Sequence, residues 1–211
     1  MKNLLLIALF LLNFSFTNAQ VNAITETGEE VTLFNNGTWK FINKQESGTA
    51  VIKTNPQKFS TPKTSSFLLK SKVLNVGFYL DPKKWSFTKA ESNPDAEYEL
   101  KMRDGDLYAV VITERMNMPL SSLREVAITN AKSVSADVTV KKEEYRIVNG
   151  KKILLLVMYG SMQGMDFYYY SYYFSNENGI VQFITYSGQN LFDEYETFSE
   201  ELLNGLVEIK E

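Results

Sequence analysis

The chain contains no histidine and no cysteine in 211 residues. These two absences remove most of the side chains from which catalytic sites are built. Without histidine no side chain has an unperturbed pKa near neutrality, and no imidazole is on hand for a metal. Without cysteine there is no thiolate nucleophile, no thiolate metal site and no disulfide. Serine with lysine, paired carboxylates, tyrosine or an all-oxygen cation site remain, and none stands in a recognisable arrangement. The composition therefore points to a protein that is not an enzyme and carries no cofactor.

What is present begins with a secretory signal over Met1 to Ala19. Lys2 supplies the positive start, Leu4 to Leu12 the apolar centre, and Thr17-Asn18-Ala19 a small-residue ending. Cleavage is expected after Ala19, exposing Gln20. The apolar run is shorter than the ~20 residues that span a bilayer, so no membrane anchor is expected. A lipid anchor is excluded because the cleavage site has no cysteine. The expected location is periplasmic or secreted. Removing residues 1–19, which carry one lysine and no acid, takes the formal net charge from −3 to −4. That mild acidity argues against nucleic acid and anionic membranes as partners. The 192 residues left (211 less 19) suffice for a hydrophobic core without disulfides.

Residues 20–42 read as a small β-meander. Thr27-Gly28 and Asn36-Gly37 are turn signals, and Val31, Leu33, Trp39 and Phe41 alternate with polar residues. So short a segment is expected to pack on the rest of the chain or on a partner. Residues 43–66 are polar, carry Pro56 and Pro62 and lack periodicity, so they read as a linker or extended strap with Phe59 as an anchor. From residue 67 the pattern is that of an α+β domain, a mostly antiparallel sheet with helices packed against it. Val76 to Leu80 reads as a strand stopped by Asp81-Pro82. Asp104-Gly105 and Asn149-Gly150 mark hairpins, and Gly160 to Gly164 a further link. Ser122 and Glu125 suggest a capping box at the start of a helix. Leu191, Tyr195, Phe198, Leu202, Leu206 and Ile209 recur at helical spacing to the end of the chain.

The most unusual stretch is Phe167-Tyr168-Tyr169-Tyr170-Ser171-Tyr172-Tyr173-Phe174. In a strand its side chains fall into two rows, one of them Tyr168, Tyr170, Tyr172 and Phe174. A helix covers one row, and the uncovered row is a candidate aromatic platform for a peptide, glycan or protein. Tyr168, Tyr170 and Tyr172, with Trp39 of the meander, are the candidate partner-binding residues. Other constellations read as structural. Asp104 and Asp106 lack the further ligands of a calcium loop. Asp193, Glu194, Glu196, Glu200 and Glu201 suit the dipole of a helix start. Lys141-Lys142, Glu143-Glu144 and Lys151-Lys152 suggest a solvated ladder of mixed charge.

The order of these features over residues 67–211 resembles the PsbP-like family. The likeness rests on Gly77-Phe78-Tyr79-Leu80-Asp81-Pro82 followed by Trp85, on the mid-chain helix, on Val148-Asn149-Gly150 before a long apolar strand, and on a final amphipathic helix bearing Phe198. The residues 20–42 are similar to a short element of bacterial exported proteins ending in Gly37-Thr38-Trp39. The resemblance implies fold far more than function, and the family is similar to a set of non-enzymatic binding and assembly modules. The signal, the reduced catalytic repertoire and the aromatic strand point to an exported, non-catalytic accessory protein that binds another protein or an envelope component. Two other readings stand beside it. One is a carrier of an apolar small ligand, held between Leu202, Leu206 and the buried row of residues 167–174. The other is a hydrolase working without histidine or cysteine.

Overall fold

The computed structural model describes residues 21–24, 30–34, 39–41, 52–91 and 93–209. The chain divides into two compact units, residues 1–45 and 46–211. In the first unit β1 (Val21–Ile24), β2 (Glu30–Leu33) and β3 (Trp39–Phe41) form an antiparallel sheet in that order. Val21 pairs with Leu33, and Leu33 with Trp39. This is the expected meander. Its turns, the Trp39 side chain and the expected signal segment lie outside the described residues.

In the second unit β4 (Thr54–Phe59), β5 (Phe67–Lys70), β6 (Val76–Leu80), β7 (Trp85–Lys89), β8 (Ala96–Met102) and β9 (Tyr108–Glu114) precede helix α1 (Leu120–Val134). Then come β10 (Thr139–Val148), β11 (Lys151–Met162), β12 (Met165–Asn176), β13 (Gly179–Gly188), helix α2 (Phe192–Leu203) and β14 (Leu206–Glu208). Eight strands make one sheet in the order β4-β10-β11-β12-β13-β9-β8-β7, antiparallel except where β4 joins β10. Strands β14, β6 and β5 make a second, antiparallel sheet. The fold class is therefore α+β and mostly antiparallel.

Local chemistry explains most of the elements. Asn149 and Gly150 turn β10 into β11 with φ of 49° and 80°, and Gln163 and Gly164 turn β11 into β12 with φ of 53° and 81°. Both are two-residue turns whose positive φ matches the twist of the flanking strands. The second turn is tighter than the Gly160 to Gly164 link expected, because β11 continues to Met162. The run Ile153 to Met158 is apolar on both rows and buried on both faces of the sheet.

Three expectations need correction. Residues 54–59, read as part of a linker or extended strap anchored by Phe59, form strand β4 at the sheet edge, where the Tyr145 backbone N–H donates to the Lys53 carbonyl at 2.9 Å and Phe59 is buried. Pro56 is tolerated because an edge strand does not need every N–H in a ladder. The last helix stops at Leu203 instead of running to Ile209. At Gly205 a Cβ would lie 1.9 Å from the Tyr79 carbonyl oxygen, so the chain turns there against β6 and leaves as β14. Ser122 is no helix cap. Helix α1 begins at Leu120 after Pro119, whose φ of −60° suits a helix entrance, and Ser122 is the third helical residue.

Candidate functional site

The two faces of the eight-stranded sheet are treated unequally by what packs on them. The first face carries Tyr168, Tyr170, Tyr172 and Phe174 of β12, with Val181 and Phe183 of β13 and Val111 of β9 beside them. Helix α2 and the small sheet cover it, and Phe78 of β6 meets Phe183 edge-on with centroids 5.0 Å apart. Tyr168, Tyr170 and Tyr172 are each 0% exposed. The row expected to be a platform is thus the covered one, and it presents no surface to a partner. Leu202 and Leu206, named as walls of a ligand pocket, are themselves buried in this core.

Within that core lies a charged network that sequence reasoning missed. Arg146 of β10, 2% exposed, donates to Glu144 at 2.6 Å and to Glu200 of α2 at 2.7 Å. It also donates to the Tyr172 and Tyr170 hydroxyls at 2.8 and 3.0 Å, and its guanidinium stacks 4.3 Å over the Phe59 ring. Tyr172 Oη donates on to Asn204 Oδ1 at 2.9 Å. One arginine therefore ties β4, β10, β12 and α2 together. Burial pushes the Tyr168 phenol up to about 12, and those of Tyr170 and Tyr172 well above their ordinary value. All three stay neutral, as structural groups would. Local sequence carries no signal for this network, since Thr139 to Val148 reads as an ordinary charged strand.

The second face is covered differently. Eight strands at a spacing of about 4.8 Å make a face about 34 Å wide, and a helix is about 10 Å across. Among the described residues of the second unit helix α1 is the helix on this face, and it packs over Leu154, Leu156 and Met158 of β11 and Tyr173 of β12. Beyond it, among the described residues, Tyr186 is exposed and Ile184, Val110 and Tyr108 are half-buried, while Ile180, Gln182 and Ile112 are buried. A groove of about 460 Å³ runs along that flank. Its wall on the helix is made by Ala127, Ala131 and Val134, and the two alanines leave the space a larger side chain would fill.

The floor of the groove follows from strand register. Met158 pairs with Tyr169, Tyr169 with Tyr186, and Tyr186 with Tyr108, placing one residue from each of four strands in line. Tyr169 and Tyr186 meet edge-on at 6.3 Å, Tyr186 and Tyr108 stack at 5.7 Å, and Phe167 lies 4.9 Å from Tyr169. Ile184, Val110 and Ile112 continue the floor, and Gln182, Asn130, Asp95 and Glu99 supply polar groups around it. Burial raises the phenol pKa values of Tyr169 and Tyr186, the latter with help from the Glu99 carboxylate, so both are neutral at pH 7. An aromatic array is present after all, on the opposite row of β12 from the one expected. The sequence shows the two rows of β12, but not which of them a helix covers.

The remaining constellations resolve into structure. The Asp104-Gly105 turn joins β8 to β9, and Asp106 binds Tyr195 and Ser187 through its backbone. Asp193 and Glu194 fall in the first turn of α2, as expected for its dipole, while Glu201 pairs with Lys84 at 2.7 Å. The mixed-charge ladder does not form. Glu143 pairs with Arg124 at 2.6 Å, Lys151 with Glu208, and Lys152 lies 3.9 Å over the Tyr145 ring. Among the described residues no group of three acidic side chains is arranged to hold a metal ion, and no helix is long and apolar enough to cross a membrane.

No family model and no curated protein sequence matches the chain. Solved structures do. The chain is similar to the cyanobacterial PsbP (CyanoP) of Synechocystis sp. PCC 6803, with a TM-score of 0.53 and 13% identity over 69% of this chain and 94% of that one. Lower similarity links it to PA94 of Pseudomonas aeruginosa, a protein of unknown function and putative regulator, at TM-score 0.45 and 11% identity over 69% and 98% of the two chains. LpqN of Mycobacterium tuberculosis, involved in cell envelope biogenesis, follows at TM-score 0.38 and 9% identity over 71% and 81%. The fold is PsbP-like. Identity this low speaks to the fold alone.

Proposed function

We propose that this is an exported, non-catalytic binding protein, and that it takes up a partner or envelope component in the groove beside α1. The observation that carries this reading is the partly exposed aromatic row of β12, β13 and β9, on which Tyr186 is exposed and Tyr169 and Tyr108 are half-buried among the described residues. A soluble protein leaves few such faces bare without a use for them. Export rests on the sequence of residues 1–19, and the non-catalytic reading on the missing histidine and cysteine. Both are consistent with a fold shared with an accessory protein such as PsbP.

The groove's size favours a small ligand, or one protruding chemical group, over a broad protein face, because 460 Å³ lies in the range of small-molecule pockets. This moves the carrier reading from the α2 side, where Leu202 and Leu206 fill the core, to the α1 side. The test is native mass spectrometry of the protein isolated from its own envelope compartment, beside the Ile184→Trp variant. Ile184 is half-buried on the open floor, so the indole grows into the groove. A co-purifying mass on the unmodified chain, absent from the variant, supports the reading. The same mass on both, or none on either, removes it.

A further inference from the structure

One polar side chain of the groove is buried without using its polar atoms. Gln182 of β13 is 6% exposed and lines the groove. Its place follows from register, since it pairs with Tyr173 of β12 on one side and Ile112 of β9 on the other, both buried. The other buried polar side chains of β13 are satisfied: Thr185 and Ser187 donate to the Tyr170 and Asp106 carbonyls at 2.9 and 2.6 Å. The Gln182 side chain makes no hydrogen bond among the described residues. A primary amide holds two donors and a carbonyl acceptor, and leaving them unpaired under cover carries a desolvation penalty. Its partner has to come from the groove. Charge around the groove is mixed. Asp95 and Glu99 line it, Glu99 already has an interaction of its own, and Lys101 lies 5.5 Å over the Tyr108 ring beside it. The choice of ligand therefore falls to the uncharged amide further in.

We infer that the groove takes a small neutral amphipathic ligand whose head is a primary amide or lactam, and that Gln182 pairs with that head. The inference rests on the groove being the binding site. Glutamine presents a donor and an acceptor side by side, the complement of the N–H and C=O on one edge of such a head. Gln182, Ile184 and Tyr186 share one face of β13 at steps of about 6.8 Å. A head at Gln182 thus leaves an apolar body to lie over Ile184 and Tyr186, beside the Ala127 and Ala131 wall. The body supplies affinity by burial, and the amide supplies the choice of head. A carboxylate head brings acceptors only, and a full charge to desolvate against an uncharged partner.

Three probes of one shape separate head from body: 4-phenylbutanamide, its methyl ketone isostere 5-phenylpentan-2-one, and 4-phenylbutyrate. Each is titrated at pH 7 into the full chain, purified from isotope-labelled cells that make it. Binding is read by calorimetry, by the methyl NMR signals of Ile184, Ala127 and Ala131, and by the side-chain amide signal of Gln182. The amide is expected to bind about tenfold tighter than the ketone, with the butyrate weakest, and to move the Gln182 signal furthest. In Gln182→Met the amide should fall to the affinity of the ketone. The thermal midpoint of that variant should hold level or rise, because an apolar chain of similar length replaces an unpaired amide. Should the variant unfold, the Gln182 signal of the unmodified chain decides in its place. Ketone or butyrate binding as tightly as the amide overturns the inference and leaves the groove as a site. So does an amide preference retained in Gln182→Met, or a Gln182 signal that the amide does not move. Failure of all three probes to shift the methyls overturns the inference and the groove reading together.

Discussion

Strand β12 passes between two environments that differ in almost everything but the residue type they use. Tyr168, Tyr170 and Tyr172 face a core closed by α2 and the β14-β6-β5 sheet, and their hydroxyls reach Arg146, Glu200 and Asn204 or stay buried. Tyr169, one residue over, faces a half-covered floor shared with Tyr186 and Tyr108. The same side chain thus serves as core on one face and as surface on the other. What decides is the number of elements on each face, not the sequence of the strand. The closed face holds the fold together; the other face carries the proposed groove.

The largest effect should come from the closed face. Arg146→Ala leaves Glu144 and Glu200 facing two buried phenols, and urea unfolding is expected to show a loss of about 3–5 kcal/mol. Replacing Phe183 by Ala should cost about as much, by opening a cavity against Phe78. If Arg146→Ala unfolds at the parent's midpoint, the network is no latch. Next comes a matched pair of hydroxyl deletions. Tyr172→Phe removes one of the Arg146 acceptors and the donor to Asn204 Oδ1 and should cost about 1–3 kcal/mol, whereas Tyr169→Phe, on the other face, should stay within about 0.5 kcal/mol. Equal losses would erase the distinction between the faces. Tyr186→Ser should also cost less than about 1 kcal/mol of stability while removing any co-purifying mass from the groove, read by native mass spectrometry.

The smallest effect is the acid limb of stability. Burial opposes ionisation of Glu144, but hydrogen bonds from Arg146 and Asn55 outweigh it and hold the carboxyl below the ordinary glutamate range. Glu208 is held down in the same way, against burial, by Lys151 and Asn176. A carboxyl whose folded pKa is depressed contributes stability that is fully present above the unfolded value of about 4.3 and is lost as pH falls through the folded value. Thermal midpoints should therefore hold level above about pH 5 and fall below it, and Glu144→Gln should flatten part of that slope. An unchanged slope would place the acid sensitivity elsewhere.

Turns and faces differ in how far the sequence reveals them. Asn149-Gly150 is legible because its positive φ values are a local demand that few residue pairs meet. Helix α1 is legible from its spacing, though Pro119 and not Ser122 opens it. Strand β4 is not, because a six-residue polar segment with a proline becomes a strand only when β10 offers its edge. Strand β14 is hidden because Leu206 happens to continue the helical spacing of Leu202, and the break depends on Gly205 meeting the backbone of Tyr79. The two rows of β12 are legible as rows. Which one is covered is a long-range fact, settled by where α2 returns. Arg146 is invisible for the same reason, since its partners Glu200 and Phe59 lie 54 and 87 positions away.

The central proposal, that the groove beside α1 is the binding face, is tested most directly by photo-cross-linking in the cells that make the protein. A benzophenone amino acid is placed at Tyr186, and in a second strain at Phe87. The two positions are nearly equal in exposure, at 37% and 39%, so access alone does not favour either. Intact-mass analysis after irradiation should show a discrete added mass at position 186 and none at position 87. No adduct at 186, or the same adduct from both positions, would contradict the account.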